Sequence, residues 1–411
     1  GAIHAGEDAR IQAQSLANSG RFAAGRDLSI ALQHNLSSQA DIEAGRRLSI
    51  ESAGRLNNRH TLQGGESVHL SATDIDNSAG GNIQSGSTTH LSAAQSLSNR
   101  GLINSNGLTL IEAGTTLLNS GSGRIYGNHV ALAATDLINR DEQEKSAAIA
   151  ARRQLDIGAQ NITNQEGALL SSEGRLNIGG RLGNTHEAEG SAHLLDNNGA
   201  EILSQSDMQL AADTLLNRNS NYRSSHKEVA GSRKQVMEYV MSDRGYTFNE
   251  QDASLRIYTE SDISHRAGYD SLVLKDGSYH EDYTRTHYTQ YDVKTTVDSS
   301  RPARIVAGGS LRISGADLTN DKSHILAAGE LYLPSAEIKN LDDETAKYVT
   351  VKTGAWRDFH HVYYNNWGKK KDGYQGRAAP ADAETIKEPN YKLNIFKTQS
   401  HYTGNTALAP L

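Results

Sequence analysis

Apolar residues recur along this chain at a nearly constant step. Ile3, Phe22, Ile42, Leu62, Ile83, Ile103, Ile125, Ile149, Leu170 and Ile202 follow one another at intervals of about 20 residues. The step lengthens where polar stretches intervene, at 140–146 and 181–198, and the same phase returns at Ile305 and Ile325. A short alternating triplet follows each of these positions, as in Leu28-Ser29-Ile30, Leu48-Ser49-Ile50, Leu155-Asp156-Ile157, Leu176-Asn177-Ile178 and Leu311-Arg312-Ile313. Alternation of this kind turns the outer two side chains inward and the middle one outward. Asp156 is therefore expected to face solvent and tolerate replacement, whereas Ile157→Asp would bury a charge.

A third apolar residue comes a few positions later, with an Asn two residues beyond it. Leu16/Asn18, Leu56/Asn58, Ile75/Asn77, Leu97/Asn99, Leu117/Asn119 and Leu137/Asn139 begin the series, which continues through Ile162/Asn164, Leu182/Asn184, Leu215/Asn217, Leu318/Asn320 and Ile338/Asn340. Leu36/Ser38 interrupts it. Runs of three to five residues between Gly, Asn and Ser are too short for a helical solenoid, which needs amphipathic runs of about ten or more. The expected fold is all-β, a right-handed parallel β-helix whose coils stack about 4.8 Å apart and lay like residues in ladders. One Ile or Leu per face per coil then builds a continuous core. The recurrent Asn58, Asn77, Asn99, Asn119, Asn139, Asn164, Asn217, Asn320 and Asn340 are read as a structural ladder, because Asn suits turns, tolerates a left-handed backbone and hydrogen-bonds its counterpart in the next coil.

The repeat stops twice. Repeats occupy 1–217; a Tyr-rich insertion, 218–302, follows; two more coils run over 303–340; and a non-repeat aromatic and basic tail fills 341–411. Nine of the 17 tyrosines fall between Tyr222 and Tyr291. Asp276-Gly277 within Ser271–Tyr279 marks a tight hairpin, and Tyr283–Val297 is rich in Thr, Tyr and Val, so the insertion is expected to pair as β-strands. The tail carries Trp356, Trp367 and the run Lys369-Lys370-Lys371, and an open solenoid end calls for a cap or packing partner. Tyr and Trp are enriched at binding hot spots. Candidate receptor-binding residues are therefore Tyr279, Tyr283, Tyr288 and Tyr291 in the insertion, and Trp356, Tyr363, Tyr364 and Trp367 in the tail. The competing role for these aromatics is to form the insertion's own small core.

Composition narrows the function classes. Only 36% of the 411 residues are hydrophobic and 6% aromatic, which argues against one thick globular core. A net charge of -7 gives no basic face for phosphates, so nucleic acid is not an expected partner. The absence of cysteine removes disulfides and thiolate metal sites. No apolar run reaches the roughly 18–20 residues of a membrane-spanning helix, and the start, Gly1-Ala2-Ile3-His4, lacks a signal-peptide pattern, as an internal segment of a longer protein would.

The stretch 20–30, GRFAAGRDLSI, resembles the haemagglutinin repeats of two-partner-secretion exoproteins, the filamentous haemagglutinin and CdiA family. The resemblance covers 1–217 and 303–340. It implies a secreted filament at the bacterial cell surface, exported through an outer-membrane secretion partner. Residues 305–329, following the Tyr/Thr-rich insertion, are similar to what lies past the first repeat array of contact-dependent inhibition effectors. That subfamily implies a receptor-binding region, whose partner would be an outer-membrane protein or glycan on a target cell. A plain adhesin stalk acting as spacer is the alternative, and the isolated chain is expected to be monomeric.

Catalytic signatures are not expected. Asp342, Asp343 and Glu344 suit a solvated turn better than an acid/base pair. His360 and His361 are adjacent and so face opposite ways on a strand, with no third ligand at a fixed spacing. Gly121–Gly127 has one residue too many for a dinucleotide fingerprint. No enzyme, metal or cofactor is expected, and a polysaccharide-active β-helix enzyme ranks third among the readings.

Overall fold

The computed structural model describes residues 1–241, 256–259, 261–266, 268–377, 380–389 and 391–393. Its regular elements are all β-strands. Contacts between Cα atoms divide the chain into two units, one built on Gly1–Arg223 with Ser299–Asp342, the other on Ser224–Asp298 with Asp343–Asn394.

The first unit is a parallel β-helix. Every pair in the aligned apolar series is a register partner: Ile3 lies beside Phe22, Phe22 beside Ile42, and so on through Ile202 beside Ile305 and Ile305 beside Ile325. A second ladder runs Ile11, Ile30, Ile50, Leu70, Leu91, Ile111, Leu132, Ile157, Ile178, Leu210 and Ile313. A third begins at Leu16 and Leu36 and ends at Leu318 and Ile338. All three ladders meet in one apolar core, so each coil contributes a thin slice of a long hydrophobic interior. The coil before the insertion stacks directly on the coil after it, Met208 beside Leu311 and Leu215 beside Leu318. The insertion is thus a loop between two contiguous coils, however long.

Ten asparagines, rather than the nine foreseen, form an unbroken polar line alongside this core. From Asn58 through Asn77, Asn99, Asn119, Asn139, Asn164, Asn197, Asn217 and Asn320 to Asn340, each Nδ2 donates to the next Oδ1 at 2.7–2.9 Å. Two details differ from the sequence expectation. Leu195/Asn197, not Leu182/Asn184, occupies the coil position, because Leu195 pairs with Ile162 while Leu182 belongs to a separate hairpin. None of these asparagines has a left-handed backbone; they lie at or near the ends of strands, and those from Asn58 to Asn217 are buried. The turn that follows is shaped by them instead: a Cβ on Gly81 would stand 2.2 Å from Asn77 Oδ1, so only glycine leaves room for the ladder.

Asp156 is also not where alternation alone puts it. Its side chain leaves the coil outward, as expected, yet it is fully buried. The antiparallel hairpin Arg181-Leu182/Ala188-Glu189 closes over it, so near that a Cβ on Gly158 would stand 2.1 Å from the Arg181 carbonyl carbon. Ala188 N–H (3.0 Å), Asn177 (3.0 Å), Gln154 (2.8 Å) and His129 (2.8 Å) surround the carboxylate. Burial opposes its charge, and these hydrogen bonds together outweigh burial and hold the carboxyl below the usual range.

The second unit is antiparallel. Strand Tyr283–Ser299 pairs with Lys234–Met241 on one side and Tyr348–Tyr364 on the other; Tyr348–Tyr364 pairs in turn with Lys370–Arg377 and Ala383–Ile386. Insertion and tail, which the sequence separates by two coils, therefore share one sheet. A smaller sheet holds Asp262–Arg266, Tyr269–Val273 and Tyr279–His280, with Gly277 at φ +81° in the Asp-Gly turn. Tyr239, Met241 and Tyr283 of the large sheet and Leu272 and Leu274 of the smaller one form an apolar core between them.

Candidate functional site

The eight candidate aromatics separate by burial. Tyr283 is completely enclosed and Tyr288 nearly so, which makes both of them core residues rather than display residues. The Tyr283 ring stacks on His360 at 4.7 Å and its hydroxyl meets that of Tyr374 at 3.0 Å. Burial, and then that hydroxyl contact, push the Tyr283 phenol far above its ordinary value, so it stays neutral. Tyr288 bonds to Glu238 and lies under the Lys352 ammonium. Tyr291 is half-buried beneath the Arg233 guanidinium at 4.2 Å. Sequence composition cannot tell such tyrosines from displayed ones, because strand-face parity is set by which neighbours pair.

Tyr279, Trp356, Tyr363, Tyr364 and Trp367 remain exposed. They do not form one patch. Trp356 lies eight residues from Tyr364 on the same strand, about 25 Å along it, and leans on His287. Tyr279 sits on the smaller sheet under Arg266. Tyr363, Tyr364 and Trp367 all belong to the hairpin joining Tyr348–Tyr364 to Lys370–Arg377, on its two faces and its tip: Tyr364 pairs with Lys370, whose ammonium lies over its ring, and Tyr363 with Lys371 on the other face, stacked on His361.

The hairpin turn is held rigidly. Asn365 Oδ1 accepts from the Trp367 and Lys369 N–H groups at 3.0 and 2.9 Å, its carbonyl accepts from Gly368 N–H at 2.9 Å, and Gly368 takes φ +69°. Trp367 is thereby carried at the tip, 88% exposed, with Tyr364 at 64% beside it. Of the three lysines, Lys370 is engaged inward, its ammonium 3.1 Å from both the Tyr269 hydroxyl and Glu281. Those two bonds raise its pKa. Lys369 and Lys371 are exposed at the tip. Tyr374, which sequence reasoning passed over, is partly exposed in the same strand and carries Arg285 over its ring at 4.5 Å.

The two adjacent histidines face opposite sides of their strand. His361 bonds to Asp282 at 2.7 Å, whereas His360 is fully buried with Nδ1 2.7 Å from the Glu281 carbonyl. Asp343 accepts from Ser224 and caps the turn at Thr345, the role of a polar turn residue.

The haemagglutinin repeat family model matches residues 5–60, 55–142, 131–186, 174–231 and 282–340. These spans take in well over half the chain, and the chain belongs to the haemagglutinin repeat family. It is a structural and adhesin family rather than an enzymatic one, whose proteins are typically secreted surface filaments. No curated protein and no solved structure matches the chain.

Proposed function

We propose that the chain is a receptor-binding segment of a secreted surface filament, with the solenoid as stalk and the antiparallel unit as the recognition module. The carrying observation is the braced hairpin that holds Trp367 exposed at its tip, with Tyr364 exposed on one face and Tyr363 beside Lys371 on the other. A large aromatic at a solvent-exposed tip adds nothing to its own fold, and such residues are favoured as interface anchors because they bury much area at low entropy cost. The partner this fits is an outer-membrane protein or glycan on another cell, with the lysines meeting acidic groups at the rim. The interruption of the repeats by a Tyr-rich module supports the finer role of receptor binding in a contact-dependent inhibition effector, exported by an outer-membrane secretion partner.

Labelled protein added to intact bacteria and to host cells tests this by flow cytometry. Trp367→Ala and Tyr364→Ala are expected to weaken binding by about 2 kcal/mol or more each, the size of a hot-spot loss. Undiminished binding by both variants would leave the spacer reading.

A further inference from the structure

We infer that the recognition module holds a first-row divalent cation of zinc's kind at His360, Asp372 and Asp270. The three come from separate places in the sequence, and pairing brings them together: His360 lies on strand Tyr348–Tyr364, Asp372 on Lys370–Arg377 and Asp270 on Tyr269–Val273. Their ligand atoms all lie within 4.8 Å of one another.

The hydrogen bonding of His360 selects its free nitrogen. Its Nδ1 sits 2.7 Å from the Glu281 carbonyl, which can only accept, so Nδ1 carries the proton. Nε2 faces Asp372 Oδ2 at 3.4 Å, and with the single ring proton on Nδ1 it presents a lone pair there, opposite another acceptor. A metal-binding histidine commonly has this arrangement, one ring N–H given to a backbone carbonyl and the other nitrogen aimed at the ion. Two acceptors pointed at each other need a positive centre between them. A proton would draw an imidazolium and a carboxylate to about 2.7–2.9 Å. An ion with ligands at about 2.1 Å would instead set them about 3.4 Å apart, the edge of a tetrahedron.

Asp372 is prepared for this role by the Asp270 N–H, which donates to the same Oδ2 at 2.8 Å. The Asp270 carboxylate is positioned by the Tyr374 hydroxyl at 3.3 Å and by His265 at 3.2 Å on its other oxygen. His360 is wholly buried while both carboxylates are half-buried, so the site is closed behind the imidazole and open in front, where water completes the shell. One imidazole and two carboxylates suit zinc or manganese and exclude the soft thiolate-seeking metals. An ion here would fasten the small sheet to the strand pair that carries the Trp367 hairpin.

Isothermal titration of the chelator-treated full chain with zinc chloride, and separately with manganese and calcium chlorides, tests the site. One zinc per chain is expected, with a rise in melting temperature, and Co2+ in its place should give visible bands of a four- or five-coordinate site. Asp372→Asn and Asp270→Asn should each weaken zinc by more than the roughly 10–100-fold that an outer-shell change costs, and His360→Gln should abolish the cobalt bands. His361→Gln, on the opposite face, should bind as the parent does. If His360→Gln does not fold, the two near-isosteric Asn variants decide. The proposal is overturned if the parent binds none of these ions, or if binding persists unchanged in both Asn variants, which would place the ion elsewhere on the chain.

Discussion

A single asparagine in the ladder does two jobs at once, accepting from one coil and donating to the next. Asn58 donates to Asn77 Oδ1 and to the His60 carbonyl, both at 2.8 Å, and is fully buried. Its neighbour Asn57 points the other way and is partly exposed. Asn58→Ala should therefore cost about 1–3 kcal/mol, the penalty of a buried polar group left unpaired, while Asn57→Ala stays within about 0.5 kcal/mol. Urea unfolding of the two variants checks this, and equal midpoints would contradict the ladder. Asp156 makes a related case with a pH signature. Its folded pKa lies below the ordinary value, so its contribution is complete above the unfolded value of about 4 and is lost as pH falls through the lower folded value. Asp156→Asn should flatten part of the acid-side fall in stability, as read by denaturant unfolding from pH 6 to pH 3. Asp156→Ala should also loosen the covering hairpin, seen as faster hydrogen exchange at the Ala188 amide, whose partner is removed.

At the scale of elements, the long strands Tyr283–Ser299 and Tyr348–Tyr364 do what neither insertion nor tail can do alone, since each supplies the other's hydrogen-bonding edge. The aromatics on these elements divide into those that hold the sheet and those that it displays. Tyr283→Ala removes a fully enclosed ring between Tyr239 and His360 and should cost about 3–5 kcal/mol. Trp367→Ala should leave stability within about 0.5 kcal/mol, because the ring has little to lose. Thermal unfolding of the two variants, set beside cell binding, separates a folding defect from a recognition defect. If Tyr283→Ala unfolds no earlier than the parent, the assignment of that ring to the core fails.

For the whole molecule, the contiguity of the coils around the insertion makes the solenoid separable from the module. Ile202 and Ile305 are direct register partners, so joining the chain across 224–298 by a short Gly/Ser link should leave the coils stacked. Removing the insertion alone, however, strips the tail strand Tyr348–Tyr364 of its partner and exposes a long edge prone to aggregation. Removing 224–298 and everything from 343 onward together should restore a soluble, cooperatively unfolding β-protein that no longer binds cells. Circular dichroism, light scattering and cell binding on the two deletions check this, and a soluble first deletion would count against the shared sheet.

Periodic residues carried most of the solenoid in the sequence itself. Stacking coils repeat one environment every turn, so the same residue types recur at the same phase, and the pairing of Ile3 through Ile325 is legible in their spacing alone. The Asp-Gly turn at 276–277 was legible for a similarly local reason, the need for a positive φ. What only the tertiary structure decided lies wherever a contact joins residues without a repeating spacing. The hairpin over Asp156, the substitution of Asn197 for Asn184, the pairing of insertion with tail, the burial of Tyr283 and Tyr288, and the meeting of His360 with Asp372 and Asp270 all depend on which strands become neighbours. Strand pairing over a hundred residues of intervening chain leaves no period behind, and a tyrosine on a strand looks the same in sequence whether its face is covered or open to water.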